Sequence, residues 1–485
     1  MRRTIITAIM FLWVGSLLAL FLSGPAGVQP TPPPSLGSSP TESEEWWGVY
    51  MQGHKIGFVR HSLTEAGAAL AFQDETVLRL TTLGEKQTVR TTASGTMTRS
   101  FELEKFKMTL SAGPSRLAVE AAVHGTELWV SVASEADAKA DTRISLDGPL
   151  SIPMGIRKAA LAPPLEVGRV TRGAVFDPLA RTSSPLTLTI GERQPLPGDP
   201  GTSAWRVDEK WRDVSSVLWV DDDGRLLREE GPMGLVAIRE DKRRAQAPAE
   251  DSDWDAVDAV SIPVNPPIED ARTRETLRVR LAGIDAERIP TGDGQSVKGA
   301  EVMIRRPPLD ELESYPLPYT AAAHARELEA TEGLQADHPR IKTLAGTILG
   351  GERDALAATQ LLRDWVYRYL EKIPTASFPN ALEVLDAGQG DCNEHAVLLT
   401  ALARAAGIPA RVVSGTVYAE RAFLYHAWTE VWLGRWVGVD PALNQMPADA
   451  THIRLTAGDR DAHMLMMGIL GNLRIEVLAD DDKPT

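Results

Sequence analysis

The stretch G-Q-G-D-C-N-E-H-A-V-L-L-T-A-L-A-R-A-A-G-I-P-A-R, residues 388–411, holds the one cysteine of a 485-residue chain. Asp391, followed three residues later by Glu394, has the form of an N-cap with its capping-box partner. That register puts Cys392 at the first helical position, ahead of the apolar Val397, Leu398, Leu399 and Leu402. Gly407 then stops the helix, and I-P-A-R-V-V-S-G (408–415) starts a strand. A lone cysteine in an arbitrary place is most simply a small buried residue. At a helix start it meets the positive end of the helix dipole, which with a neighbouring imidazolium lowers a thiol from ~8.5 toward ~3.5–7.5. The expectation is a reactive thiolate at neutral pH.

Downstream, H-A-W-T-E-V-W-L (426–433) alternates, placing His426, Trp428, Glu430 and Trp432 on one face and Ala427, Thr429, Val431 and Leu433 on the other. After Gly434-Arg435 the chain returns as W-V-G-V-D-P (436–441). With a two-residue turn at Gly434-Arg435, Asp440 faces away from His426. With a three-residue loop Leu433–Arg435, or one bulge, Asp440 pairs with Trp428 and joins His426. The second register is expected, because it assembles Cys392 as nucleophile, His426 as its base and Asp440 as the residue that orients the base. The Cys392 backbone N–H is a candidate oxyanion donor, with Gln389 a candidate second. Asp391 and Glu394 are explained as caps, and His395 as a hydrogen-bonded packing residue. His54, His61, His124, His324, His338, His452 and His463 are scattered and show no metal-ligand spacing. With one cysteine and no H-E-x-x-H, neither a metal nor another cofactor is expected.

G-D-C-N-E-H-A, R-A-A-G-I-P-A-R-V-V-S-G, H-A-W-T-E-V-W-L and W-V-G-V-D-P-A together resemble the transglutaminase-like superfamily of cysteine enzymes in its bacterial exported branch, over roughly 335–475. The resemblance implies a papain-like core in which a helix bearing the cysteine packs on an antiparallel sheet bearing the histidine and aspartate. It implies Cys392 as nucleophile, His426 as general base and acid, and Asp440 as the orienting residue. It also implies acyl transfer at amide bonds of proteins or peptides through a thioester. Peptidase or amidase action is the leading expectation. A protein cross-linking transglutaminase and a non-catalytic binding module on the same scaffold are the alternatives.

Working outward, the helical character begins at His338-Pro339, with proline in the first helical turn. In R-D-A-L-A-A-T-Q-L-L-R-D-W-V-Y-R-Y-L (353–370), Ala358, Leu361, Leu362, Trp365 and Tyr369 share a face expected to be packed. Before it, T-L-R-V-R-L (276–281) and A-E-V-M-I-R-R (300–306) read as strands. From Trp46 the chain alternates in short runs, 46–51, 55–61, 75–82, 87–92, 106–110 and 126–132, as an antiparallel sheet with one buried face. A second β-rich stretch follows the proline-punctuated 149–178, and Asp221-Asp222-Asp223-Gly224 reads as a hairpin turn rather than a calcium loop.

The termini and composition set the remaining bounds. Arg2 and Arg3 followed by an 18-residue apolar run, Ile5 to Leu22, read as a signal peptide or N-terminal membrane anchor, with the body of the protein exported across the inner membrane. Residues 24–45 are proline-rich, and as a tether at ~3.1 Å per residue they reach on the order of 60 Å. A net charge of −15 is the wrong sign for a nucleic-acid surface. The expected organisation is therefore a signal peptide or anchor at 1–23, a linker at 24–45, a β-rich domain at 46–245, a linker at 246–272 and a transglutaminase-like domain at 273–480. The expected fold class is multidomain: an N-terminal all-β region followed by an α+β papain-like domain. The expected partner is a protein or peptide substrate, with a membrane tether through residues 4–23. Location in the cell envelope follows, and the sequence does not fix the oligomeric state.

Overall fold

The computed structural model describes residues 43–478 apart from 83–84, 113–114, 135–139, 178–181, 212–213, 249–253, 332, 374–379, 420, 459–468 and 470. The expected signal or anchor at 1–23 lies outside the described residues, as does most of the expected 24–45 tether. Among the described residues no helix is long and apolar enough to cross a membrane. The chain divides into two compact units between Ala259 and Val260.

The N-terminal unit is one sheet of fifteen described strands, which joins the two β-rich stretches of the expected 46–245 domain. Strands from Ser43–Met51 to Ala140–Ser145 each pair with the next in sequence, and so do those from Val170–Asp177 to Leu235–Glu240. The two meanders join where Ser43–Met51 runs antiparallel to Leu235–Glu240, with Trp46 opposite Glu240 and Met51 opposite Leu235. One face is apolar because the strands alternate. In Leu103–Ala112 the buried positions are Leu103, Phe106, Met108, Leu110 and Ala112. Phe106 meets Phe72 and, edge to face at 5.2 Å, Phe176; each such buried side chain contributes about 1.5–3 kcal/mol. The Asp221–Gly224 segment is a turn, as read: Asp221 Oδ1 accepts from the Asp223 and Arg225 amides, and Gly224 has φ 75°.

Helix α1, Pro153–Ala160, lies in the proline-punctuated segment and packs on this sheet. Gly173 permits that approach, since a Cβ there would stand 2.3 Å from Ile156 Cδ1. The helix carries Arg157 onto Glu209 and Glu229. Its guanidinium donates to Glu209 at 2.8 and 2.6 Å and to Glu229 at 3.0 and 2.8 Å. Both carboxylates are buried.

The C-terminal unit is built on helix α5, Cys392–Ala405, whose residues from Cys392 to Arg404 are all buried. Around it stand helices α2 (Pro339–Leu349), α3 (Ala355–Tyr369) and α4 (Ala381–Ala387). The buried face of α3 is Ala355, Ala358, Thr359, Leu362 and Val366. Leu361 and Tyr369 are exposed, against expectation, and Trp365 stacks on Tyr369 at 4.4 Å. The 3.6-residue period is shared by two adjacent stripes, and the smaller side chains took the inner one.

On its other side α5 packs against an antiparallel sheet. Its strands are β1 (Ile262–Pro263), β2 (Ala410–Ala419), β3 (Ala422–Trp432), β4 (Trp436–Val439) and β5 (Ile453–Ala457). β3 is central: β2 lines one edge, while β1 and β4 share the other. Residues 262–263, expected within a linker, are therefore part of a sheet, with Ile262 opposite Phe423. Proline at 263 suits such an edge position, where no ladder amide is needed. A smaller four-stranded sheet, which includes Thr276–Ala282 and Glu301–Arg305, supports β5. There the Gln295 side chain accepts from the Arg454 amide and donates to the Arg454 carbonyl, each at 2.8 Å.

Candidate active site

Helix α5 begins with the capping box read from the sequence: Asp391 Oδ1 accepts from the Asn393 amide, and Glu394 Oε2 accepts from the Asp391 amide at 3.0 Å. Gly390 permits this closure, since a Cβ there would meet the Glu394 side chain at 2.3 Å. Cys392 is thus the first helical residue. Thr429 ties the helix to β3: its Oγ1 donates to the Ala396 carbonyl and meets Thr400 Oγ1, both at 3.0 Å. Between the pairings of β1 and β4, residues 424–428 of β3 take no strand on that edge among the described residues. The Ala427 N–H is directed at the Cys392 sulfur there.

The hairpin has the three-residue loop. Trp432 lies opposite Trp436 and Thr429 opposite Val439, with the Leu433 amide donating to the Arg435 carbonyl. This register carries Asp440 onto the face of His426, and His426 Nε2 stands 2.7 Å from Asp440 Oδ2. With Nε2 donating to the carboxylate, Nδ1 is left as the basic nitrogen. Cys392 and His426 are each 1% exposed and Asp440 0%. Trp428 packs beside both imidazoles of the site, with ring centroids 6.2 Å from His426 and 5.2 Å from His452.

The thiol departs from expectation. Among the described residues its hydrogen-bond partner is Asp391 Oδ1, at 3.6 Å, rather than His426. Burial pushes its pKa well above the ordinary thiol value, and the charges of Asp391, Glu394 and Asp440 add to this, against the lowering effect of the Ala427 N–H. Burial and the three nearby carboxylates thus favour the protonated thiol. His395 is a packing residue as read. It is wholly buried, its Nδ1 meets the Asp391 carbonyl, and burial brings its pKa down to about 4. Gln389 lies in a two-residue strand paired with Glu371.

One residue escaped the sequence reading. His452, placed there among scattered histidines, directs Nε2 at Asp440 Oδ2 (3.0 Å) and Nδ1 at the Asp449 carbonyl (3.1 Å). Its Nδ1 is also 3.4 Å from Asp449 Oδ1. Asp449 is held in turn by Arg272 Nη1 at 2.8 Å and Gln445 Nε2 at 2.9 Å. The other oxygen of Asp440 accepts from the Ala442 and Leu443 amides at 2.8 and 2.9 Å. Burial alone would lower the His452 pKa. The charge of Asp449, with hydrogen bonds to Asp440 and Asp449, outweighs it and raises the value to about 9. Burial likewise opposes ionisation of Asp440, but the charges and hydrogen bonds of His426 and His452 hold it far below the carboxylate range. His426, Asp440 and His452 bring one potential metal-ligating atom each within 4.8 Å of the others. The separations of 2.7 and 3.0 Å to a shared oxygen are hydrogen-bond lengths, and both His452 nitrogens face acceptors, so protons account for these contacts.

A cysteine at a buried helix start, beside a strand whose histidine is bonded to an aspartate just past the end of the next strand, defines a class of cysteine–histidine–aspartate site. Residues 342–441 match the family model of the transglutaminase-like superfamily. An uncharacterised protein of Mycobacterium leprae is 32% identical over 87 residues, which are 16% of this chain and 31% of that relative. The match thus spans about a third of the relative's length. Among solved structures, a candidate cysteine protease from Cytophaga hutchinsonii is 18% identical, with 46% of this chain and 90% of that one covered and a TM-score of 0.32. A β-barrel-like protein of a domain of unknown function from Brucella abortus is 9% identical, covering 43% and 98%, with a TM-score of 0.33. A candidate protease from Parabacteroides distasonis is 11% identical, covering 76% and 63%, with a TM-score of 0.19. None of these three is close enough to carry an argument.

Proposed function

We propose that this chain is an exported cysteine-dependent acyl-transfer enzyme that acts on amide bonds of proteins or peptides. The observation that carries the reading is the His426–Asp440 pair, 2.7 Å apart on the strand edge that also receives Cys392. Packing of α5 on β2 and β3 supports a papain-like core for the unit. The thiol turns from Asp391 toward His426 Nδ1 and gives up its proton to it as the sulfur attacks. Sulfur then bonds to the carbonyl carbon, and the C=O electron pair moves onto oxygen, toward the free helix-start amide of Cys392. As the C–N bond breaks, imidazolium His426 gives its proton to the leaving amine, and a thioester remains. Water or an amine attacks that thioester with His426 again as base, and the thiol is regenerated.

Peptide mixtures incubated with and without a primary amine, then analysed by mass spectrometry, test this. The expected products gain water or the amine, and Cys392→Ala and His426→Ala proteins form neither. A Cys392→Ala protein that still converts the peptides, or a wild-type protein that converts none and forms no mass adduct, overturns the reading in favour of a binding module. Cell fractionation tests export: the body of the protein is expected in the envelope.

A further inference from the structure

We propose that His452 is a positioning residue, a doubly protonated imidazolium clamped between Asp440 and Asp449 that holds the Asp440 carboxylate on His426 and governs how readily His426 takes a proton. The argument begins with donors and acceptors. Nε2 of His452 faces a carboxylate oxygen and Nδ1 faces a carbonyl, at 3.0 and 3.1 Å, with a second carboxylate 3.4 Å from Nδ1. A neutral imidazole has one donor and one acceptor nitrogen, so two acceptor neighbours are satisfied only by the cation. The clamp is buried, and its far end is fixed by Arg272 and Gln445 on Asp449. A raised His452 pKa agrees with this assignment.

The consequence falls on His426, because one oxygen of Asp440 serves both rings. A fixed cation with its ring centre 5.8 Å from that of His426 makes a second positive charge less favourable there. Besides Arg272 on Asp449, the charged and titratable groups acting on this cluster among the described residues include Lys372, beside Gly390, and Asp391, Cys392, Glu394 and His395 at the start of α5. Of these, Lys372 and the carboxylates differ in sign, which leaves His452 as the cation directly bonded to the orienting carboxylate. His452 thereby sets against a second charge on the neighbouring ring a cation that an unshared aspartate would not carry. This deepens the acyl-transfer reading and rests on it for its catalytic meaning.

Proton-coupled nitrogen NMR of the histidine side chains, on full-length wild type, His452→Gln and Asp449→Asn, tests the proposal without recourse to turnover. In wild type both His452 nitrogens are expected to stay protonated past pH 8. In His452→Gln, which keeps a donor but removes the charge, the His426 titration is expected to move up by on the order of one pH unit. In Asp449→Asn it moves in the same direction by less. The acid limb of the acyl-transfer pH profile should follow. A wild-type His452 that is neutral at pH 7, or a His426 titration unmoved in both variants, overturns the proposal. If the titrations shift as stated but no Cys392-dependent transfer is found, the enzymatic reading fails and the charge assignment stands. Should His452→Gln not fold, Asp449→Asn together with the wild-type titration decides.

Discussion

Each unit buries a cluster of opposite charges, and the two clusters are built from different cations. In the N-terminal unit Arg157 forks onto Glu209 and Glu229 with four hydrogen bonds. In the C-terminal unit His426 and His452 share Asp440, and His452 continues to Asp449. A guanidinium keeps its proton at any pH a protein survives, so Arg157 itself serves to hold α1 to the sheet. An imidazole gives and takes a proton near neutrality, so the second can do chemistry as well as hold strands. Burial and pairing are alike in the two; whether the cation exchanges its proton separates them.

The comparison is open to breaking at both ends. The largest effect is expected from His426→Gln, which should lower acyl transfer by about 10²–10⁴-fold with the fold retained. Arg157→Met should leave transfer per folded molecule unchanged, measured with the same peptides. A transfer rate that falls equally in both variants would mean the clusters do not differ in kind. Next is stability: Arg157→Met strands two buried carboxylates and should cost on the order of 3–5 kcal/mol in the N-terminal unit, read by calorimetry. The triple replacement of Arg157, Glu209 and Glu229 by apolar residues should recover most of that loss, and a triple variant as unstable as the single one would contradict the account.

A third expectation concerns pH. His452 has a folded pKa of about 9, above its ordinary value near ~6.5. The stability it contributes is therefore complete below the ordinary value and is lost as pH rises through the folded one, a change on the order of 3 kcal/mol. Asp440 and Asp449 are shifted downward, so their contribution is present above the ordinary carboxylate range and is lost only as pH falls through the depressed values. Calorimetry should show an alkaline decline in the C-terminal unit that His452→Gln removes. An identical decline in wild type and variant would assign it to other groups. The smallest effect is at the thiol: iodoacetamide should modify Cys392 at a rate that keeps rising beyond the ordinary thiol range, because its pKa is raised. A rate already constant by pH 7 would restore the preformed thiolate that the sequence suggested.

What could be read in advance was local. The capping box at Asp391 and Glu394 involves residues three apart, and the His426–Asp440 geometry follows from alternation plus loop length, both visible in a string of letters. The joining of Trp46 to Glu240 was not, because strand edges pair through backbone groups that every residue carries. His452 was missed for a related reason. It lies 12 residues beyond Asp440 in a stretch without hydrophobic period, and only the return of β5 alongside β2 brings it back. At Cys392 the helix start is legible in the sequence, whereas its burial among three carboxylates, which pushes the thiol pKa up, is not.

The Asp440 carboxylate accepts four hydrogen bonds, from His426, His452, Ala442 and Leu443. A carboxylate offers about four lone-pair positions, and here each has a taker. Asparagine has the same outline but would turn one of those oxygens into an N–H₂ group facing N–H donors, and glutamate carries the same oxygens one methylene too far. At this position the genetic alphabet therefore holds one suitable letter, and any substitution leaves at least one of four buried donors without its acceptor.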